Sequence, residues 1–328
     1  MASLRTPGLR LIGERLARVT PIVPPGHSRN KMRDVADVIR RRVLVRSVRR
    51  LGGDVHAVVA ASFAPVFGVV NERRRILYAT DDFAAGAELI NVAGNRLLAD
   101  EQRQLATADT IIAVSPTLVE KWASSGHDVI LIPNGCDASL FARTDQVAAA
   151  RDVRLASPVA GFIGHLSERI DFDILEDVAD RGISLLLVGP RQQTLPVARI
   201  SRLLRHENVQ WTGPRPYEQL PSYLQAMTVG LVPYADSAFN RGSFPLKTLE
   251  YLAGGRATIA TDLPSVRWLS TDLVTRASSE QFAGAVEMAL SIPTDPAVVD
   301  SRRAFARTHD WDQRAREFGA AIGIRPPP

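Results

Sequence analysis

The 328-residue chain holds a single cysteine, Cys136, which excludes an internal disulfide framework and a cysteine-based structural zinc site. It has no run of about 18 apolar residues, so a membrane-spanning helix is not expected. Its first residues lack the apolar core and small-residue cleavage site of a signal peptide. It also lacks the interleaving of basic and aromatic residues, and any zinc-finger or RNP pattern, that would mark a nucleic-acid surface. A cytoplasmic protein without a nucleic-acid partner is therefore expected. What is present fits a soluble enzyme: 45% hydrophobic and 23% charged residues, in a length that suits two α/β domains rather than one core. The closing Pro326-Pro327-Pro328 reads as a frayed tail.

The net charge of +5 is concentrated. Residues 31–50 carry eight basic side chains (Lys31, Arg33, Arg40, Arg41, Arg42, Arg46, Arg49, Arg50) against Asp34 and Asp37, so this stretch is +6 and the remainder −1. Val35, Val38, Ile39, Val43 and Val45 are interspersed. A helix of this composition can lie on an anionic membrane surface, which makes a peripheral membrane location one expectation. The same residues also suit a solvated helix that packs its valines on a domain.

Short β-branched runs recur along the chain, at 55–60, 75–79, 110–114 and 129–132, then at 159–164, 183–189, 209–213, 229–233 and 257–261. Helix-length amphipathic stretches at 84–107, 116–125, 171–181, 216–227 and 244–253 separate many of them. Such alternation predicts two Rossmann-like, doubly wound parallel sheets. The expected division is a first domain at 1–135, a linker at 136–157 opening after the Pro133-Asn134-Gly135 turn, a second domain at 158–310 and a final segment at 311–328. Ligands of such folds sit at the C-terminal ends of strands.

The segment from Ser243 to Gly255 concentrates the chemistry. Ser243 suits an N-cap, Pro245 a first turn and Gly254-Gly255 a stop. Leu246, Leu249 and Ala253 would form the buried stripe of the helix between them. Ser243, Lys247 and Glu250 fall at i, i+4 and i+7 on a separate polar face. The N–H groups of a helix start, with Lys247 one turn in, suit a diphosphate, and Glu250 can accept from two ribose hydroxyls. A plain solvated Lys–Glu pair is the competing reading.

Several segments resemble, in order, the group 1 family of GT-B glycosyltransferases. They are Ile112-Ala113-Val114-Ser115-Pro116 and Ile132-Pro133-Asn134-Gly135, then Phe162-Ile163-Gly164 with Glu168-Arg169-Ile170-Asp171. Trp211-Thr212-Gly213 and Gly230-Leu231-Val232-Pro233-Tyr234 follow. Last come Phe244-Pro245-Leu246-Lys247 with Glu250-Tyr251-Leu252-Ala253-Gly254-Gly255, and Trp311-Asp312 at the final helix. The resemblance implies a UDP- or GDP-linked sugar donor held by Gly164, Arg169, Ser243, Lys247 and Glu250, a carbohydrate or lipid-linked acceptor, and retention at the anomeric carbon. The family's motif carries two glutamates; Glu250 matches the second and Gly242 stands in place of the first. The resemblance also implies a place for Asp82 beside the acceptor or donor sugar, and the position of His165 in the loop after Gly164 predicts one near the sugar. A capping turn is the plain alternative for Asp82 and a solvated loop for His165. Positive groups can stabilise a leaving diphosphate without a metal. Asp171-Phe172-Asp173 reads as a helix start rather than a metal site.

The first domain shows no candidate for an opening strand with its glycine-rich loop. Leu9 to Arg18 reads as the later part of a first helix and Val19 to Val23 as the second strand, so the start is expected upstream. A nucleotide-sugar epimerase on the same fold, or a non-catalytic nucleotide-sugar-binding relative, remain alternatives.

Overall fold

The computed structural model describes residues 8–24, 30–87 and 93–324. The chain divides into two compact units. The first comprises Met1–Ala113, Leu118–Leu131 and Gly319–Pro328, and the second Val114–Thr117 and Ile132–Phe318. No helix among the described residues is long and apolar enough to cross a membrane.

The first unit opens with an antiparallel hairpin, β1 (Gly8–Gly13) and β2 (Leu16–Thr20), followed by a 22-residue helix, α1 (Asn30–Leu51). The hairpin corrects the expectation of helix over 9–18 and a core strand at 19–23. The local signal is period two: Leu9, Arg10 and Leu11 alternate, and Gly8 and Gly13 bracket the run. A parallel sheet follows from β3 (Ala57–Ala60), β4 (Arg74–Ala79), β5 (Thr110–Ala113) and β6 (Val129–Leu131). Its order follows the chain, with no reversal among the described strands. Helices α2 (Gly94–Thr107) and α3 (Pro116–Ala123) connect these strands. The helix expected over 84–107 is therefore shorter, because 83–87 form turns around Gly86 and Gly94 opens α2. Residues 88–92 of that expectation lie outside the described residues.

The second unit begins with α4 (Ala138–Ala142), inside the stretch expected as linker. Its strands are β7 (Val159–Ile163), β8 (Ser184–Val188), β9 (Val209–Trp211), β10 (Val229–Val232), β11 (Ala257–Thr261) and β12 (Val274–Ala277). Its further helices are α5 (Phe172–Asp180), α6 (Val197–Leu203), α7 (Leu220–Gln225), α8 (Ala238–Gly242) and α9 (Leu246–Ala253). These are followed by α10 (Pro264–Arg267), α11 (Ser279–Ser291), α12 (Pro296–Arg307) and α13 (Trp311–Ala321). The parallel order β12-β11-β10-β7-β8-β9 reverses between β10 and β7, which is a doubly wound Rossmann arrangement with its switch point there. Strands buried on both faces explain the near-continuous apolar runs, such as Val159 to Ile163 with every residue buried.

Two strand glycines let helices and loops approach the sheet. A side chain at Gly230 would occupy the ring of Tyr251 in α9, and one at Gly161 would occupy Met227. Each glycine is thus fixed by what packs on it rather than by its own backbone.

Candidate functional site

The C-terminal ends of β7, β8 and β9 carry Gly164, Gly189 and Gly213. Gly189 has φ +136 and lies directly against the Gly164 carbonyl, a fit that leaves no room for a Cβ. The loops are then joined rung by rung. Gly164 N–H donates to Val188 O at 2.9 Å, Gly189 N–H to Gly213 O at 2.9 Å, and Leu166 N–H to Pro190 O at 2.9 Å. The three loops are thereby cross-bonded into one rim. It bounds a cavity of about 400 Å³ at the switch point, lined among others by Gly164, His165, Arg169, Arg215, Tyr234 and Lys247.

Helix α9 is pinned over this rim from below. The hydroxyl of Tyr251, fully buried, accepts from the N–H of Ile163, the last residue of β7, at 2.8 Å. The helix starts at Leu246, with Pro245 in the capping position. Ser243 is therefore not its N-cap, which corrects the sequence expectation; it ends α8 and is buried. The first turn also closes locally, since Leu246 N–H donates to Phe244 O and Thr248 N–H to Pro245 O. Pro245 at φ −82 and ψ 63 sets this tight entry, which leaves fewer helix-start N–H groups for an anion than the sequence implied.

Lys247 and Glu250 do share one face of α9: Lys247 Nζ lies 2.7 Å from Glu250 Oε2. Their environments differ sharply. The Lys247 side chain is 21% exposed, whereas that of Glu250 is 3% exposed. Burial raises the Glu250 carboxyl above the usual carboxylate range, with Lys247 pulling the other way. The same buried region pushes the Cys136 thiol up to about 12, through desolvation first and the Glu250 charge second. Cys136 is thereby inert as a nucleophile. A solvated surface pair would show none of this.

Arg169, in the loop after β7, is held on three sides. Its guanidinium lies 5.0 Å from the Tyr234 ring centroid and 4.8 Å from that of Phe239. Its Nε donates to Asn240 Oδ1 at 3.0 Å. The buried Asn240 in turn donates through Nδ2 to Arg169 O at 2.9 Å and Ala235 O at 2.8 Å. Sequence reading found Arg169 but missed Phe239 and Asn240, since nothing in the pattern Ala238-Phe239-Asn240 marks a clamp. It also missed Arg215, which bonds Asp152 at 2.6 Å and lines the same cavity.

The structure thus brings Gly164, His165, Arg169 and Lys247 to one cavity, with Glu250 buried behind Lys247. His165 is exposed on its rim. Asp171 caps α5 by accepting from Asp173 N–H at 3.1 Å, and Asp173 pairs with Arg199. Asp82 belongs to the first unit and is used there. It caps the turn at Ala85 and pairs with Lys121 at 3.1 Å. Lys121 also reaches the fully buried Glu101, to which Trp122 Nε1 donates at 3.3 Å. Replacing Lys121 by Met would strand two buried carboxylates, so unfolding should become easier by about 2 kcal/mol, discounted for the partial exposure of the lysine. Urea denaturation of the variant checks this.

The motifs around Gly135 and Trp311 meet in the second unit. Cys136 N–H donates to His309 O at 2.9 Å, Trp311 N–H to Cys136 O at 3.2 Å, and Ala138 N–H to Asp310 Oδ2 at 3.1 Å. A Cβ on Gly135 would press on His309 O at 2.9 Å.

Residues 157–291 match the family model described as "Glycosyl transferases group 1". The Bacillus subtilis (strain 168) protein TuaH, named as a teichuronic acid biosynthesis glycosyltransferase, is 31% identical over 237 residues; the match covers 69% of this chain and 59% of TuaH. Among solved structures, sucrose-phosphate synthase from Thermosynechococcus elongatus superposes with a TM-score of 0.74 at 17% identity, over 96% of this chain and 84% of that one. Anabaena HepE, solved with UDP and glucose, gives 0.68 at 15% identity, over 92% and 84%. The family match, the relative and the fold agree with the motifs: residues 157–291 are a group 1 glycosyltransferase segment, in a chain of GT-B fold that spans 59% of the length of TuaH.

Proposed function

We propose that the protein transfers a sugar from a UDP- or GDP-linked donor to a carbohydrate or lipid-linked acceptor. The observation that carries this is the pair on α9: a partly exposed lysine over a buried glutamate, at a cavity that also holds a clamped arginine. A nucleoside diphosphate needs both signs of charge in that order. Glu250 accepts from the ribose hydroxyls, while Lys247 and Arg169 face the diphosphate. When the bond from the anomeric carbon to phosphate breaks, negative charge builds on the leaving diphosphate. Lys247 and Arg169 then stabilise the transition state more than the ground state. In the ligand-free protein Lys247 is held by Glu250, so donor binding redistributes an existing ion pair rather than creating a charge.

The relative named for teichuronic acid biosynthesis supports a polysaccharide product. The basic face of α1, with Arg42, Arg46 and Arg49 exposed, supports a cytoplasmic protein that works at an anionic membrane surface. Asp82, in its network with Lys121, is proposed as an acceptor-side group, and His165 as a contact to the donor sugar.

Calorimetric titration of UDP and GDP, with and without a linked sugar, tests the donor site. One nucleotide should bind at micromolar affinity, near −8 kcal/mol. Incubation with the matching nucleotide-sugar and a lipid-linked saccharide should release nucleotide only with acceptor present. Conversion of the donor without acceptor would instead mark an epimerase, and binding without turnover a non-catalytic relative.

A further inference from the structure

The hairpin β1–β2 carries side chains that a soluble surface does not need. Leu11, Ile12 and Leu16 near its tip are 67%, 50% and 60% exposed. They flank the turn at Glu14-Arg15. The register pairs Leu9 with Val19 and Leu11 with Ala17 on one face. The base of that face, Leu9 and Val19, is partly buried, and the hairpin packs against α1. The tip extends beyond this support, apolar and uncovered.

The opposite face bears a second oddity. Arg10 and Arg18 are direct cross-strand partners and both are exposed. Like charges at facing positions destabilise a strand pair, and a two-stranded hairpin has little stability to spare. Such a pair becomes favourable only against anions. At the tip Arg15 is offset by its neighbour Glu14, and the added positive field comes from α1 beside the hairpin, where Arg41, Arg42, Arg46, Arg49 and Arg50 are all exposed.

We propose that this hairpin is a membrane-docking element. Its apolar tip enters the headgroup region of an anionic phospholipid bilayer while Arg10 and Arg18 bind lipid phosphates and α1 lies along the surface. The inference rests on the membrane part of the proposed function and sharpens it, since it assigns insertion to the hairpin rather than to α1. Charge complementarity selects the occupant. A second copy of the chain would bring its own arginines to the same place and be repelled.

The test uses the full chain and vesicles of phosphatidylcholine alone, or mixed with phosphatidylglycerol. Sedimentation should show binding to the mixed vesicles only. Arg10→Ser with Arg18→Ser should lower the partition constant about thirty-fold, from two surface charges. Leu11→Ser, Ile12→Ser and Leu16→Ser together should lower it about tenfold or more. Ile12→Trp should shift its emission to the blue on mixed vesicles and on no others. Thermal unfolding and UDP or GDP binding of each variant should match the wild type, which separates lost docking from a lost fold and from a failed donor site. Equal binding to neutral vesicles would overturn the proposal. So would full binding by both hairpin variants, or loss only when Arg42, Arg46 and Arg49 of α1 are changed. Self-association that the apolar variant abolishes would make the tip an interface between copies.

Discussion

Glu250→Ala should weaken UDP or GDP binding ten- to a hundred-fold, about 1.5–3 kcal/mol, the range for hydrogen bonds to a charged group. The fold should not suffer in proportion. The side chain is 3% exposed, and burial holds its carboxyl above the usual range. A carboxyl raised in the folded state contributes stability below its unfolded pKa and loses it as pH rises through the folded one. The ionised form of Glu250 is therefore a cost to the fold, offset in part by Lys247. Glu250→Gln keeps the volume and removes the buried charge, and Lys247 is exposed enough to turn to solvent. The melting temperature of the glutamine variant should thus equal or exceed that of the wild type, while nucleotide affinity falls. The pH dependence follows from the same shift. Wild-type affinity should decline as pH falls through the raised Glu250 value, above the ordinary carboxylate range near 4.3. The glutamine variant should lack this component, and the phosphate's own titration cancels between the two titrations. A glutamine variant that unfolds earlier yet binds as tightly would show Glu250 to be structural.

Much of this site is legible in the sequence because its causes are local. Apolar strands between polar helices read as parallel sheets, and the strand run Ala257 to Thr261 has those same bounds in the structure. Lys247 and Glu250 are three apart on one helix, so periodicity alone puts them together. The Asn134-Gly135 turn and Trp311-Asp312 were legible as motifs, although their contact was not. That contact depends on backbone atoms of Cys136 and His309, far apart in the chain. The cap of α9 misled for a related reason. Ser243 has the right chemistry, but α8 ends there and Pro245 takes the capping position. The hairpin was missed because Leu9 to Arg18 is mostly apolar and basic, with Glu14 as its one acidic residue. Such a composition fits a helix as well as a strand until the pairing of Arg10 with Arg18 decides it. Burial of Glu250 was beyond sequence reading altogether, since α9 is covered by α12 and α4, elements from distant parts of the chain.

Arg169→Ala should lower turnover about a hundred- to a thousand-fold, the range for removing one donor aimed at developing negative charge. Nucleotide affinity should fall less, because the charge on the diphosphate grows only as the glycosidic bond breaks. The clamp explains why so much is expected of one side chain. A free arginine would pay rotamer entropy each time it engaged a phosphate, whereas Tyr234, Phe239 and Asn240 fix this one in advance. Arg169→Lys should recover little, since a lysine neither stacks between the two rings nor offers Nε to Asn240. Asn240 then acts as a positioning residue. Its amide gives two donors to Arg169 O and Ala235 O and one acceptor to Arg169 Nε. Asn240→Asp keeps the acceptor but sets a charged oxygen against those two carbonyls and neutralises the guanidinium. Turnover should drop at least tenfold while the donor KM changes little, a split that loss of packing alone would not produce. Steady-state kinetics on the three variants decides the matter. If Asn240→Asp raised KM and left kcat alone, the asparagine would serve the shape of the loop and the arginine would need no positioning.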